Sequence, residues 1–316
     1  MYSTLIGPHA NRGWVLLGAH LDHLGRLDGK DYLGADDNAS SLAILLETAR
    51  MLATDKPLRH FNLLFVGFNS EEPPHFLTRW MGSHHFYSHF EETGIQRTDL
   101  RFAIVMDLMG GAFWEPLTDA VFAMGAEKTP ALEPLLKSTT ISVLYIHTYG
   151  THMVENLPGV GHRIFSNYNV FRSNKVPYLF LSSGRTPHYH RPTDLAETLH
   201  YARMAKTVRW LVELIRKVDQ SQTPLEYQSK RENFRQDLRV IQSLVEEASQ
   251  WRRKISYTGW LSLWRLKQDR NRIRNGNENA TKEAPISINK RTNLFELAYL
   301  TPSIRSGQNF LTERDA

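Results

Sequence analysis

The chain has 316 residues, 41% of them apolar, which is enough for a large α/β core and excludes a disordered tail or linker. It contains no cysteine, so disulfides and thiolate metal sites are excluded, and any metal must be held by His, Asp and Glu. The formal charge of +5 is uneven: residues 220–316 carry 17 Lys+Arg against 11 Asp+Glu, whereas the preceding part is nearly neutral.

At the N-terminus, MYSTLIGPHANRG lacks the charged-then-apolar layout of a signal peptide, and no run in the chain approaches the roughly 18 to 20 apolar residues of a membrane span. Next come WVLLGAHLD (14–22), FNLLFVGFN (61–69), FAIVMDLM (102–109) and VPYLFLSS (176–183). They are short, rich in branched and aromatic residues, and bounded by polar or glycine segments, the pattern of strands buried on both faces. Between the first two, NASSLAILLETARMLA predicts a helix capped by Asn38 with Leu42, Leu45, Leu46 and Met51 toward one side. After the last strand, residues 194–218 predict a long amphipathic helix opened by Asp194 and Glu197 in capping-box spacing. Strands alternating with helices indicate a three-layer α/β sandwich around a mixed, mostly parallel sheet.

The expected catalytic domain ends at residue 219. Residues 221–230 read as a linker, and Phe234, Leu238, Ile241, Val245 and Ala248 recur at helical spacing. Trp251, Trp260 and Trp264 then stand among Arg252, Arg253, Lys254, Arg265 and Lys267. This basic extension is expected to be partly disordered. Packing on its own domain or a second subunit is the simpler reading, an anionic membrane surface the alternative, and no nucleic-acid partner is expected.

In open α/β sheets ligands bind beyond the carboxyl ends of the strands. The first predicted strand ends in His20 and Asp22, and the loop after it carries Asp36 and Asp37 in GADDNAS. The second ends in Glu71 and Glu72, the third carries Asp107, and beyond the fourth lies PHYHRPTD with His188, Tyr189, His190 and Asp194. Two histidines with several carboxylates suit a site for two zinc ions, in which one carboxylate bridges and a water position stays open. Of two adjacent glutamates, one can bind metal while its neighbour moves a proton. Taken singly, Asp36 reads as a turn residue and Asp194 as a helix cap that also reaches His190. His23, His75, His84, His85 and His188 fit no role, with His23 and His188 the nearest candidates to touch substrate or a ligand.

GAHLDH, GADDNAS, NSEEPP, MDLMGG and YHRPTD, in this order, resemble the di-zinc aminopeptidase family of metallopeptidases. That family, numbered twenty-eight, includes bacterial leucyl aminopeptidases, glutaminyl cyclases and glutamate carboxypeptidases. The resemblance spans about residues 14–218 and implies two zinc ions bridged by Asp37, with His20 and Asp107 completing one site and Glu72 and His190 the other. It further implies Glu71 as general base, Asp22 as the carboxylate orienting His20, and Tyr189 as a stabiliser of the oxyanion. The implied activity is that of an aminopeptidase acting on peptide or protein N-termini, in the bacterial periplasm or secreted. Cyclase-like or carboxypeptidase activity and a silent binding domain are the alternatives. The chain departs from the family in reaching its first histidine motif early, where a helical segment and a strand are usual, and in reading Ser166-Asn167-Tyr168 in place of a Ser-Asp-His-like triplet.

Overall fold

The structure, a computed structural model, describes residues 2–5, 13–112, 115–151, 166–221, 223–237, 239–240 and 243–244. Its centre is a seven-stranded mixed sheet. The strands are β1 (Tyr2–Leu5), β2 (Gly13–His20), β5 (Phe61–Phe68), β6 (Leu100–Met106), β7 (Ala120–Met124), β8 (Tyr145–Tyr149) and β9 (Tyr178–Ser182). Their order is β1-β5-β2-β6-β9-β7-β8. Strands β5, β2, β6 and β9 run parallel, β1 and β7 are antiparallel to their neighbours β5 and β9, and β8 is parallel to β7. A separate small hairpin joins β3 (Gly25–Leu27) to β4 (Lys30–Tyr32).

The continuous apolar runs are explained by a core on each face of the sheet. Val15, Leu17, Ala19, Leu63, Phe65, Phe102, Ile104, Met106, Leu179 and Leu181 pack on one side. The intervening Leu16, Leu64, Val66, Phe68, Ala103, Val105, Tyr178 and Phe180 pack on the other. Alternation of side chains along each strand thus feeds two cores, as it must when both faces are covered. The first face is covered by α1 (Ser41–Thr54), α3 (Leu132–Ser138) and α5 (Tyr201–Gln220). On the second, Tyr87 of α2 (Gly82–Ser88), Val170 and Phe171 of α4 (Asn169–Ser173), and Val240 and Leu244 pack down. In α5, Met204, Thr207, Val208, Leu211, Leu214, Ile215 and Val218 are buried at intervals of three and four, the spacing of one helix face.

Both predicted helices start later than expected. The first begins at Ser41, and its buried face is Ser41, Ile44, Leu45, Thr48 and Leu52, whereas Leu46 is 66% exposed. Its phase is set by a kinked turn, Ala35–Ser40, that precedes it and in which Asp37 and Asn38 leave helical dihedral angles. The second begins at Tyr201 because Asp194 is engaged elsewhere, as described below. The segment expected to be a linker lies against the domain: Gln228 N–H donates to the Lys128 carbonyl at 2.7 Å, and Arg231 Nη1 donates to Glu133 at 2.8 Å. Residues 234–237 are helical, and the Trp-rich basic region lies outside the described residues.

Candidate metal centre

Three adjacent parallel strands, β5, β2 and β6, end at one place, and the loop after β9 returns there. His20 is the last residue of β2, Asp107 follows β6 directly, and Glu71 and Glu72 lie just past β5. Asp37 comes from the turn before α1, and His190 from the loop after β9. Asp37 stands between the two histidines. Its Oδ1 is 3.3 Å from His20 Nε2, and its Oδ2 is 3.2 Å from His190 Nε2. On one side His20 Nε2 lies 3.4 Å from Asp107 Oδ1, and on the other His190 Nε2 lies 3.3 Å from Glu72 Oε2. All five expected ligands therefore converge, in two groups that share Asp37.

Long-range bonds shape the turn that carries Asp37. Asp194 receives the backbone N–H of Asp36 at 2.8 Å and of Asp37 at 3.1 Å, so its carboxylate clamps the turn instead of capping a helix or holding His190. Asn38, expected as a helix cap, donates to the Met106 carbonyl at 3.1 Å and accepts from Leu108 N–H at 3.3 Å, tying the turn to the end of β6. Asp36 accepts from Gly110 and Gly111 N–H at 2.7 and 2.8 Å, in keeping with a structural turn residue. Ser70, Leu108 and His190, three of the seven non-glycine residues with positive φ among those described, adopt φ of 56°, 56° and 53°, a left-handed conformation that costs about 1 kcal/mol or more.

Electrostatics make the centre a trap for cations. Asp37, Glu71, Glu72 and Asp107 are all buried, and among the described residues their ion-pair partners are histidines alone. Burial, aided by the Asp107, Glu72 and Asp37 carboxylates against the pull of His20, pushes Glu71 up to about 9. Burial likewise raises Asp107, with His20 opposing. For Asp37 burial acts upward too, but His190 and His20 outweigh it and hold the carboxyl below the ordinary range. Burial would lower His20 and His190, yet the neighbouring carboxylates raise both, His190 to about 9.

These residues fit zinc. Four donor pairs at 3.2–3.4 Å match the edge of a tetrahedron with bonds of about 2.0–2.1 Å. His20 Nε2, Asp107 Oδ1 and His190 Nε2 are buried without a hydrogen-bond partner among the described residues. Buried polar atoms are rarely left so unless something else satisfies them. His20 Nδ1 lies 3.1 Å from the Asp22 carbonyl, which accepts its proton and frees Nε2 to face the centre. The Asp22 carboxylate stands 3.8 Å from that ring, and its hydrogen bond is instead with Glu72 N–H at 3.0 Å.

The adjacent glutamates straddle the centre. Glu72 joins the His190 side, whereas Glu71 Oε2 lies 3.9 Å from His20 Nε2, beyond the donor spacing. Tyr189 stacks on His190 with centroids 3.8 Å apart, and Arg185 lies over its other face at 4.3 Å. Burial raises the Tyr189 phenol well above its ordinary value; Arg185 opposes this, and Asp37, Glu72 and Asp107 add to it. Ser166 and Asn167, which depart from the family triplet, are buried.

Of the unassigned histidines, His188 bonds Thr193 and His85 stacks on His89. His23 is different: its Nδ1 lies 3.1 Å from Glu72 Oε1 and 3.8 Å from Asp37 Oδ2. The signal was its place in GAHLDH, three residues after His20 at the end of β2.

The profile of peptidase family M28 matches residues 4–215. The chain belongs to peptidase family M28. Membership assigns it to the metallopeptidases, and the matched span includes every donor above and ends inside α5. The chain is 27% identical over 225 residues to the uncharacterized protein YfbL of Escherichia coli (strain K12), covering 66% of this chain and 68% of that one. Among solved structures it is similar to BSAP, a zinc aminopeptidase from Bacillus subtilis, with 16% identity, a TM-score of 0.51, and coverage of 73% of this chain and 50% of that chain. It is also similar to an Acidobacteriales bacterium glutaminyl cyclase, with 18% identity, a TM-score of 0.53, and coverage of 69% and 73%. At such identities the structures report a shared fold, and the chain spans about half the length of BSAP.

Proposed function

We propose that this M28 chain is a two-zinc aminopeptidase. The observation that carries the reading is the pair of donor groups, His20 with Asp107 and His190 with Glu72, joined through the two oxygens of Asp37. Zinc held there supplies Lewis-acid activation of water and of the scissile carbonyl. Glu71, buried and crowded by carboxylates at the edge of the centre, holds its proton on its own, and the positive charge of bound metal would lower its pKa and free it to accept one. It takes the proton of the attacking water and delivers it to the leaving amine. The Tyr189 phenol, held protonated, donates to the oxygen that becomes negative during attack. Similarity to a zinc aminopeptidase supports cleavage at peptide N-termini, and similarity to a glutaminyl cyclase supports cyclisation of N-terminal glutamine as the second reading.

The purified chain is expected to bind two zinc ions and to hydrolyse aminoacyl anilides with a free α-amine. Glu71→Gln keeps the metal while turnover falls by roughly 10² to 10⁴-fold. Absence of zinc uptake would sink the two-zinc reading, and full activity in Glu71→Gln would sink the base. A panel that adds N-blocked and N-terminal glutamine peptides separates aminopeptidase from carboxypeptidase and cyclase.

A further inference from the structure

GAHLDH places one imidazole at the end of β2 and a second on the loop that follows, and only the first is absorbed by the donor groups. The second, His23, is 8% exposed and reaches the other side of Asp37. Its ring meets that of His190 edge to face at 5.8 Å and 67°. Gly34, at φ 64°, lies against it, and a Cβ there would collide with the His23 ring and the Asp37 carbonyl. The ring is thus held in place, and Gly34 is required for its approach.

We infer that His23 is a positioning residue: its Nδ1–H holds Oε1 of Glu72, leaving Oε2 to face His190 and Asp37 as a single-oxygen donor. Glu72 is then fixed twice, by His23 at the side chain and by the Asp22 carboxylate at its backbone N–H. Two observations favour this role over direct ligation by His23. His23, Asp37 and Glu72 lie close enough together to form a metal-binding group, but the 3.8 Å from Nδ1 to Asp37 Oδ2 exceeds the 3.2–3.4 Å spacing of the four donor pairs. His23 Nε2 is buried without a hydrogen-bond partner among the described residues. A ligating Nδ1 would force the proton onto Nε2 and leave a buried donor unpaired, which is rarer and costlier than a bare acceptor. An imidazole proton on the non-coordinating oxygen orients a carboxylate ligand and tunes its affinity.

The inference rests on the two-zinc reading, and the test separates them. Stepwise zinc affinities of the full chain are measured by competition with a chromogenic chelator for wild type, His23→Ala, His23→Asn and His23→Gln, with thermal melts alongside. Asparagine keeps an N–H close to the Nδ1 position but is a poor zinc ligand; glutamine moves its amide one carbon further out. His23→Ala and His23→Gln are expected to weaken the second zinc step by about 10 to 100-fold and leave the first unchanged. His23→Asn is expected to stay near wild type. Unchanged zinc steps in His23→Ala, including with a lowered melting temperature, overturn the positioning role, and so does a His23→Asn variant as weak as His23→Ala, which would mark His23 as a ligand. Wild type that takes up no zinc overturns the proposed function and this inference together.

Discussion

His20 and Asp107 expose 0% and 10% of their side chains, whereas His190, across Asp37, exposes 30%. The first pair stands on the ends of β2 and β6, neighbours in the middle of the sheet, and the second comes from loops after β5 and β9. The two histidines thus sit in unequal surroundings: His20 is part of the core and His190 opens its half to solvent, although Glu72 beside it is only 6% exposed. The buried half is expected to hold its cation as structure, and the open half to exchange its cation and meet substrate. Arg185 and Tyr189, stacked on the His190 side, belong to that open half.

The comparison is broken most completely at its shared residue. Asp37→Ala removes a donor from both halves, so zinc content should fall from two ions to none, and hydrolysis by more than about a thousandfold as water activation and charge stabilisation are lost together. Elemental analysis and an aminoacyl anilide assay measure both. Retention of two ions would show that the halves do not depend on Asp37.

Truncating each histidine in turn sharpens the asymmetry. His20→Ala strips a fully buried imidazole from between carboxylates and should destabilise the fold by about 3–5 kcal/mol, read by denaturant unfolding. His190→Ala should retain one zinc ion and unfold close to wild type. A reversed ranking would mean that burial does not govern which half is structural.

Smaller effects follow at the clamp. Asp194→Ala leaves the N–H groups of Asp36 and Asp37 without their acceptor and should cost about 1–3 kcal/mol for each donor that stays buried. Zinc affinity should weaken at both steps, since the clamp precedes the shared ligand; an effect on one step alone would assign Asp194 to one half. Last, timed removal of zinc from wild type by a chelator should proceed in two phases, with the first ion leaving from the solvent-facing half. A single phase would erase the distinction between the halves.

The runs ending in AHLDH, NSEE and MDLMGG were readable because a strand buried on both faces is apolar throughout, so the first polar residues mark where it leaves the core. Strands β1, β7 and β8 escaped the reading. AVFAM and YIHTY are only five residues long, and YIHTY carries His and Thr in its middle and lies at the sheet edge among the described residues. The kinked turn at Ala35–Ser40 was equally hidden: ADDNAS reads as a capped helix start, and its conformation depends on bonds to distant chain.

The sequence by itself determined the identity and order of the residues proposed as zinc donors, through the motifs that resemble the family, and the alternation of strands and helices, through local patterns of polarity and residue type. The tertiary structure set Glu72 against His190 and held Glu71 at a greater distance from His20. It also turned Asp194 and Asn38 from helix caps into clamps and brought His23 onto Glu72. Those partners lie 158, 68 and 49 residues apart. Carboxylate, amide and imidazole groups bond to whatever the packed sheet brings within about 3 Å, and no local pattern carries that information.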